Sequence, residues 1–188
     1  MSDMNSLIDP TKFIEKLNGI NNIDKIGSFK VNDKVVVGEM EYSTLDLKKG
    51  QYNAYQVDDN LLIIHESNID EITREYLENI TWKFSGNVVS VDGGRFGFYD
   101  SEIVTKINIR NYNLSNSIPD IDMKYINFKS QTGMIINTNM VEDQIPSDIK
   151  NIDFGVASST VTGDGFYFCY IKEDQMALLV GGITADTK

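Results

Sequence analysis

Three aspartates stand beside glycines in stretches that otherwise favour β-strands. Asp92 and Asp100 bracket the glycine-rich stretch VDGGRFGFYD, residues 91–100, and Asp164 lies in TVTGDGFYFCYI, residues 160–171. Carboxylates that converge on one concavity bind a divalent cation or work as an acid/base pair. Asp92, Asp100 and Asp164 are therefore the candidate catalytic or metal-binding residues of the chain.

The same stretches have a simpler structural explanation. Asp-Gly is a favoured pair at the tip of a two-residue hairpin, because glycine carries no Cβ and aspartate tolerates a positive φ. A hairpin is the more economical interpretation of Asp164-Gly165, and a turn between strands is the corresponding interpretation of Gly93-Gly94. The glycine spacing matches neither a dinucleotide-binding loop nor a Walker loop.

The remaining catalytic residue types are scarce. His65 is the single histidine and Cys169 the single cysteine, which excludes a zinc site of several histidines and a disulfide within the chain. A Cys169–His65 pair is disfavoured because Cys169 lies in an apolar strand, where a thiol behaves as a small hydrophobe. No cofactor is expected, and whether the chain binds a metal ion depends on the three aspartates.

The charge balance restricts the partners. The 188 residues include 28 acidic and 17 basic side chains, for a formal net charge of −11. Nucleic-acid binding needs clustered Lys and Arg, so a nucleic-acid partner is disfavoured. Acidic charge promotes solubility and can also steer a protein toward a basic partner. Asp120 and Asp122 share one face if their segment is extended, and paired acids are common on a solvated face.

No membrane association is expected. No apolar run exceeds six residues, and the run LLII at 61–64 has four, far below the length of a membrane span. The first residues lack the basic and apolar regions of a secretory signal. These features predict a soluble cytoplasmic protein, and they leave its oligomeric state open.

The hydrophobic periodicity predicts one α+β domain over residues 1–188, made mainly of antiparallel β-sheet. Hairpins and a C-terminal three-stranded meander would form the sheet, with turns at 162–165 and 173–175. Two helices, at 9–20 and 67–80, would pack on it. Apolar residues alternate on both faces of the strand at 166–171, which predicts a strand covered on both sides.

The two glycine-rich stretches together carry a family resemblance. VDGGRFGFYD and the later GVASSTVTGDGFYFCYI, residues 155–171, resemble a family of uncharacterised, mostly bacterial proteins. Its members have a V-D-S-G-Q-x-G-x-x-D segment and a C-terminal G-D-G-x-Y hairpin. Gly93 and Arg95 depart from the Ser and Gln of that pattern. The resemblance implies a β-rich domain of unknown function, with Asp92, Asp100 and Asp164 as its shared positions.

Three functional hypotheses follow. The missing catalytic set and the acidic charge favour a non-enzymatic binding protein, such as an intracellular inhibitor or accessory factor for a basic protein. The alternative is a small metal-dependent or acid/base hydrolase-like enzyme that uses Asp92, Asp100 and Asp164, and it requires these carboxylates to converge. A structural component of a larger assembly is the third.

Overall fold

A computed structural model describes residues 17–112, 116–122, 124, 132–161 and 163–181. The regular elements, in chain order, are β1 (Ile23–Val31), β2 (Val35–Gly38), β3 (Tyr42–Thr44), β4 (Gly50–Val57), β5 (Asn60–His65), α1 (Arg74–Glu78), β6 (Lys83–Val91), β7 (Arg95–Asp100), α2 (Ser101–Arg110), β8 (Gly133–Asn137), β9 (Asp153–Ser159), β10 (Gly165–Lys172) and β11 (Met176–Leu179). Short 3₁₀ turns lie at Thr138–Met140 and Ser147–Ile149.

The strands form two antiparallel sheets. One has six strands in the order β1-β4-β5-β11-β10-β6, and the other has five in the order β3-β2-β7-β9-β8. The predicted α+β class with mainly antiparallel sheet is therefore confirmed. The predicted hairpins include one at Asp58-Asp59, where β4 and β5 pair in register up to Val57 and Asn60.

Three apolar layers hold the fold together. The interior between the two sheets contains alternate residues of nearly every strand, including Phe29, Tyr52 and Phe98. The outer face of the six-stranded sheet is covered by α1, and the outer face of the five-stranded sheet is covered by α2. Each sheet thus buries both faces, which explains why many strands are apolar throughout.

Strand β10 confirms the predicted alternation. Tyr167 and Cys169 point into the interior between the sheets, whereas Phe168 and Tyr170 pack on the outer layer beside α1. All four side chains are buried. The period of two therefore identified a strand that is covered on both sides.

The helices differ in part from those predicted. Thr73 caps α1 through its hydroxyl, which accepts from the Tyr76 amide at 3.1 Å, so the helix is shorter than the predicted 67–80. The predicted helix at 9–20 lies mostly outside the described residues, and residues 17–20 are not helical. Helix α2 was not predicted. Of the helices described, none is long and apolar enough to cross a bilayer.

The chain crosses between the sheets four times, at residues 32–34, 45–49, 92–94 and 160–164. Hairpin turns were predicted at two of these crossings, Gly93-Gly94 and Asp164-Gly165. The C-terminal meander is thus limited to β10 and β11, since β9 pairs with β7 and β8 instead. Asp164-Gly165 is the end of a crossing, and Gly93-Gly94 is the middle of another.

Strand β6 continues through Gly86-Asn87, a residue pair that is common in turns. Val88 pairs with Phe168 and Phe84 with Tyr170, so residues 85–87 bulge opposite a single residue of β10. Gly86 has a φ of 90°, a conformation that glycine adopts at bulges without a Cβ clash.

The edge strands of the two sheets lie against each other. At one side, the Asn87 amide on the β6 bulge donates to the Ser43 hydroxyl of β3 at 2.6 Å. At the other side, Gly27 of β1 lies so close to Ile135 of β8 that a Cβ would stand 2.8 Å from its Cγ1. Edge strands of different sheets therefore cover each other.

The ring of Tyr99 leaves no room for a side chain at two glycine positions of the five-stranded sheet. A Cβ on Gly97 would lie 2.8 Å from the Tyr99 hydroxyl and 2.4 Å from the Val156 carbonyl oxygen. A Cβ on Gly155, which pairs with Tyr99, would lie 2.4 Å from its ring. The ring lies over both glycines, beneath α2.

We expect Gly97→Ala to destabilise the protein by about 3 kcal/mol, at the upper end for overpacked sites, because backbone cannot move aside as a side chain can. Gly163→Ala is the matched control, because Gly163 has a φ of 83° but open space around it. It should cost only about 1 kcal/mol. Urea unfolding measures both, and equal losses would contradict the packing explanation.

Candidate functional site

The three sequence-predicted aspartates do not converge. Asp92 and Asp164 lie in neighbouring crossings, joined where the Thr160 amide donates to the Gly94 carbonyl at 2.8 Å. Asp100 ends β7, roughly 16 Å away along the strand that follows this corner. Within the described ranges, no group of three or more His, Cys, Asp or Glu side chains is placed to hold a metal ion.

Asp100 is a structural residue at the crossing between β1 and β2. Its Oδ1 accepts from the backbone amides of Asn32 at 3.1 Å, Asp33 at 3.3 Å and Glu102 at 3.3 Å. Its Oδ2 accepts from Asn32 Nδ2 at 3.1 Å. The Asp100 carboxylate therefore accepts the hydrogen bonds of the backbone amides at the β1–β2 crossing and also caps the first turn of α2.

Burial controls the ionisation of Asp100. The side chain has 0% exposure, and this desolvation raises the pKa of its carboxyl above the ordinary range of aspartate. The amides that it accepts from oppose the shift only in part. A fully enclosed carboxyl bound to backbone on both oxygens has no path to a substrate.

His65 and Cys169 are also used within the fold. The Ser67 amide donates to His65 Nδ1 at 3.0 Å, so Nε2 carries the proton and donates to the Lys49 carbonyl at 2.9 Å. Burial raises the pKa of the Cys169 thiol to about 12, which keeps it protonated. The two residues form no catalytic pair.

A cleft on the five-stranded side collects the exposed acids. It consists of two adjoining hollows of about 520 and 310 Å³, which share Glu39, Met40 and Asp120. The residues lining it include six carboxylates and one basic side chain, Arg95. We call it the acidic cleft, and its carboxylates are Glu39, Glu41, Asp92, Asp120, Glu142 and Asp143.

Backbone hydrogen bonds build the walls of the acidic cleft. The segment 116–122 lies between the β2–β3 connection and residues 140–142. The Ile118 amide donates to the Met40 carbonyl at 2.8 Å on one side, and the Glu142 amide donates to the Asp120 carbonyl at 2.9 Å on the other. These hydrogen bonds thereby hold the acidic residues of three segments that are distant in sequence close together.

Glu39 fixes the crossing that carries Asp92. Its carboxylate accepts from the Gly93 amide at 2.6 Å and from the Asp92 amide at 3.3 Å. A Cβ on Gly93 would lie 2.3 Å from Glu39 Oε1, so a larger residue there would require the Glu39 side chain to move. Glu39 therefore anchors the rim of the acidic cleft.

Tyr99 and Arg95 line the smaller hollow. Burial raises the pKa of the Tyr99 phenol, and the nearby Glu39 charge adds to this rise while Arg95 opposes it. The phenol is therefore neutral at physiological pH, and the hollow keeps one uncharged aromatic wall.

Asn108 lines the larger hollow from helix α2. It is only 5% exposed, and its Nδ2 donates to the Ser117 carbonyl at 3.0 Å. Its Oδ1 is buried without a hydrogen-bond partner in the described structure. Buried carbonyl groups are nearly always paired, so Asn108 Oδ1 is an exception among the described residues.

Sequence reasoning found only part of this cleft. Asp92 was a candidate, and Asp120 was interpreted as an acid on a solvated face. Glu39, Asp143 and Asn108 were missed, since they are far apart in sequence and share no motif. An asparagine inside the α2 segment was the available signal, because asparagine is a poor helix former that competes for backbone hydrogen bonds.

Comparisons with protein-family models, with curated proteins and with solved structures find no match to this chain. The resemblance described above therefore rests on its two motifs alone.

We expect Asp100→Ala to cost about 3 kcal/mol of stability, because it leaves three backbone amides without their acceptor. Asp100→Asn can retain Oδ1 and loses only the bond to Asn32 Nδ2, so it should cost about 1–2 kcal/mol. Urea unfolding measures both. Equal costs would contradict the assigned hydrogen bonds.

The loss in Asp100→Asn should also depend on pH. Because the pKa of the Asp100 carboxyl is raised in the folded state, the unfolded chain loses this proton at a lower pH than the folded protein does. The stability that the Asp100 carboxyl contributes is therefore fully present in acid and is lost as pH rises through the folded-state pKa. The variant has no such loss. The stability gap between wild type and variant should therefore narrow from acid toward neutral pH, and a widening gap would contradict the shift.

We expect Glu39→Ala to lower stability by about 1 kcal/mol, because the amides of Asp92 and Gly93 lose a charged acceptor. Glu41→Ala removes the same charge from an exposed neighbour and should change stability by less than about 0.5 kcal/mol. Thermal unfolding of the two variants separates the effect of losing the hydrogen bonds of Glu39 from the effect of losing one negative charge. A larger loss in Glu41→Ala would refute the role of Glu39.

Proposed function

We propose that the protein is a non-enzymatic binding protein that receives a basic protein partner in the acidic cleft. The observation that carries this proposal is the concentration of six carboxylates along the two hollows of the acidic cleft, whose lining includes a single basic side chain. An inhibitor or accessory factor for a basic protein has this chemistry.

The shape of the site strengthens the electrostatic argument. Like charges that line a concave surface with low-dielectric walls focus their field and raise the local concentration of a ligand of opposite charge. The whole chain adds to this field, since its net charge is −11. A basic partner would relieve the mutual repulsion of the carboxylates and would associate faster at low salt.

Apolar groups between the acids offer contact area. Met40 is 61% exposed at the rim, and Ile118 and Pro119 form part of the wall. Lys and Arg have apolar stems below their charged ends, so such a mixed surface suits them better than a purely polar one. Protein interfaces commonly combine an apolar centre with a polar rim.

The enzyme alternative gains no support from the geometry. Asp100 is buried at the opposite end of β7 and bound to backbone, so it cannot act together with Asp92 and Asp164. Asp92 instead contributes to the acidic cleft, and Asp164 is exposed in the neighbouring crossing.

The test uses the variant Glu41→Gln/Asp120→Asn/Asp143→Asn, which neutralises three carboxylates of the cleft. A fluorescent peptide of alternating glycine and lysine should bind wild type, with an affinity that falls as salt rises. The cleft variant should bind at least about tenfold more weakly, and fluorescence anisotropy measures this change.

The matched control is Asp24→Asn/Glu66→Gln/Glu71→Gln, which removes the same total charge from exposed positions outside the cleft. It should retain most of the affinity. Equal weakening in both variants would mean that only net charge attracts the peptide, and the proposal would then be abandoned.

A further inference from the structure

We infer that Asn18 is a self-modification site, at which the side-chain amide is lost through attack by the backbone nitrogen of Gly19. Asn18-Gly19 is the single Asn-Gly pair in the sequence. Both residues are exposed, and they belong to the segment that precedes β1. Asparagine is a thermolabile residue, and here the nucleophile belongs to the same chain, so no enzyme is needed. This inference is independent of the acidic cleft.

The reaction is a cyclisation followed by hydrolysis. The Gly19 nitrogen bonds to the side-chain carbonyl carbon of Asn18, Cγ, and loses its proton, while the Cγ–Nδ2 bond breaks and ammonia leaves. The product is a five-membered imide in which the Gly19 nitrogen joins two carbonyl carbons. Water then adds to one of them and reopens the ring. Cleavage of the bond to Cγ gives aspartate, and cleavage of the bond to the main-chain carbonyl carbon gives isoaspartate.

The Gly19 nitrogen is open to this attack. Neither its N–H nor the Asn18 side chain makes a hydrogen bond in the part of the chain that the structure describes. Gly19 has a φ of 66°, and a Cβ added to it would meet nothing within 4 Å. Because glycine carries no side chain, it presents the smallest obstacle to the approach of Cγ. The nucleophile is thus exposed, unbonded and sterically open.

Asn21 is also exposed but lacks these conditions. The nucleophile for its modification would be the Asn22 nitrogen, whose N–H donates to Asp58 Oδ1 at 3.0 Å. The Asn21 amide itself donates to Asp58 Oδ2 at 3.1 Å. Hydrogen bonds to charged acceptors are among the stronger ones, and this one must break before the nitrogen can turn toward Cγ. Asp58 therefore protects Asn21.

The two Asp-Gly pairs of the crossings are restrained as well. Aspartate can form the same imide, with loss of water in place of ammonia. The Gly93 N–H, however, donates to Glu39 Oε1 at 2.6 Å. Gly165 belongs to β10, where it pairs with Val91. Among these pairs, the fold leaves the reaction open at Asn18-Gly19.

The two products differ in their effect on the start of β1. Aspartate at position 18 adds a negative charge to an exposed site. Isoaspartate adds the same charge and also lengthens the main chain by one carbon, because the chain then runs through Cβ and Cγ. Leu17 and Ile20 flank the pair and are buried in the apolar layer beside α1. Isoaspartate must therefore displace one of these two side chains relative to the other.

The experiment incubates the folded full chain at mildly alkaline pH in water enriched in heavy oxygen, which is incorporated where an imide is hydrolysed. Digestion with trypsin in ordinary water then releases residues 17–25, a peptide that contains Asn18 and Asn21. Tandem mass spectrometry locates the label within this peptide. Label should accumulate at position 18 at least about tenfold faster than at position 21.

Unfolding separates protection by the fold from the preference of the Asn-Gly sequence. In guanidinium chloride, label should accumulate at Asn21 about tenfold faster than in the folded protein, because the bond from the Asn22 amide to Asp58 is broken. The rate at Asn18 should change by less than about threefold, since no hydrogen bond within the described residues holds its nucleophile.

Asn18→Gln is the control variant, because glutamine would have to close a larger, six-membered ring. It should lose the label at position 18 and keep the slow labelling of Asn21. Label that persists at position 18 in this variant would refute the assigned route. An unlabelled position 18 in folded wild type, or equal acceleration of Asn18 and Asn21 on unfolding, would overturn the inference.

Discussion

Backbone amides need hydrogen-bond acceptors wherever the chain leaves one sheet for the other, and the rest of this structure depends on how they are satisfied. Inside a sheet the ladder provides the partners, but a crossing has none. Asp100 supplies the acceptor for residues 32–33, and Glu39 supplies it for residues 92–93. Two carboxylates, a group that often acts in catalysis, are thus required here to keep the two sheets packed together.

The same constraint explains which parts of the fold could be predicted. Alternating apolar residues in β10 show that it is covered on both faces, because periodicity reports burial directly. Periodicity does not report pairing partners, and a crossing uses the same Gly, Asp and Asn residues as a hairpin. The segments around Gly93 and Asp164 therefore looked like hairpin turns, although each carries the chain across to the facing sheet.

The candidate site was less predictable for a physical reason. Its carboxylates come from the β2–β3 connection, the crossing at 92–94, and residues 120 and 142–143, and only the folded backbone brings them together. Asp92 was visible because it stands beside glycines. Asn108 was hidden in a helix that had not been predicted, since Ile and Val at α2 positions also suit strands. Net acidity suggested a basic partner, but it could not indicate where in the fold the acidic residues lie close together.

The bulged edge of β6 limits how this molecule can recognise another. Many proteins recruit an extended peptide by letting it join a sheet through main-chain hydrogen bonds. Here the bulge at residues 85–87 interrupts the regular row of donors and acceptors, and Asn87 ties that edge to Ser43 of the facing sheet. The regular hydrogen-bonding row that an incoming strand would need is therefore interrupted at this edge, which disfavours β-augmentation on β6.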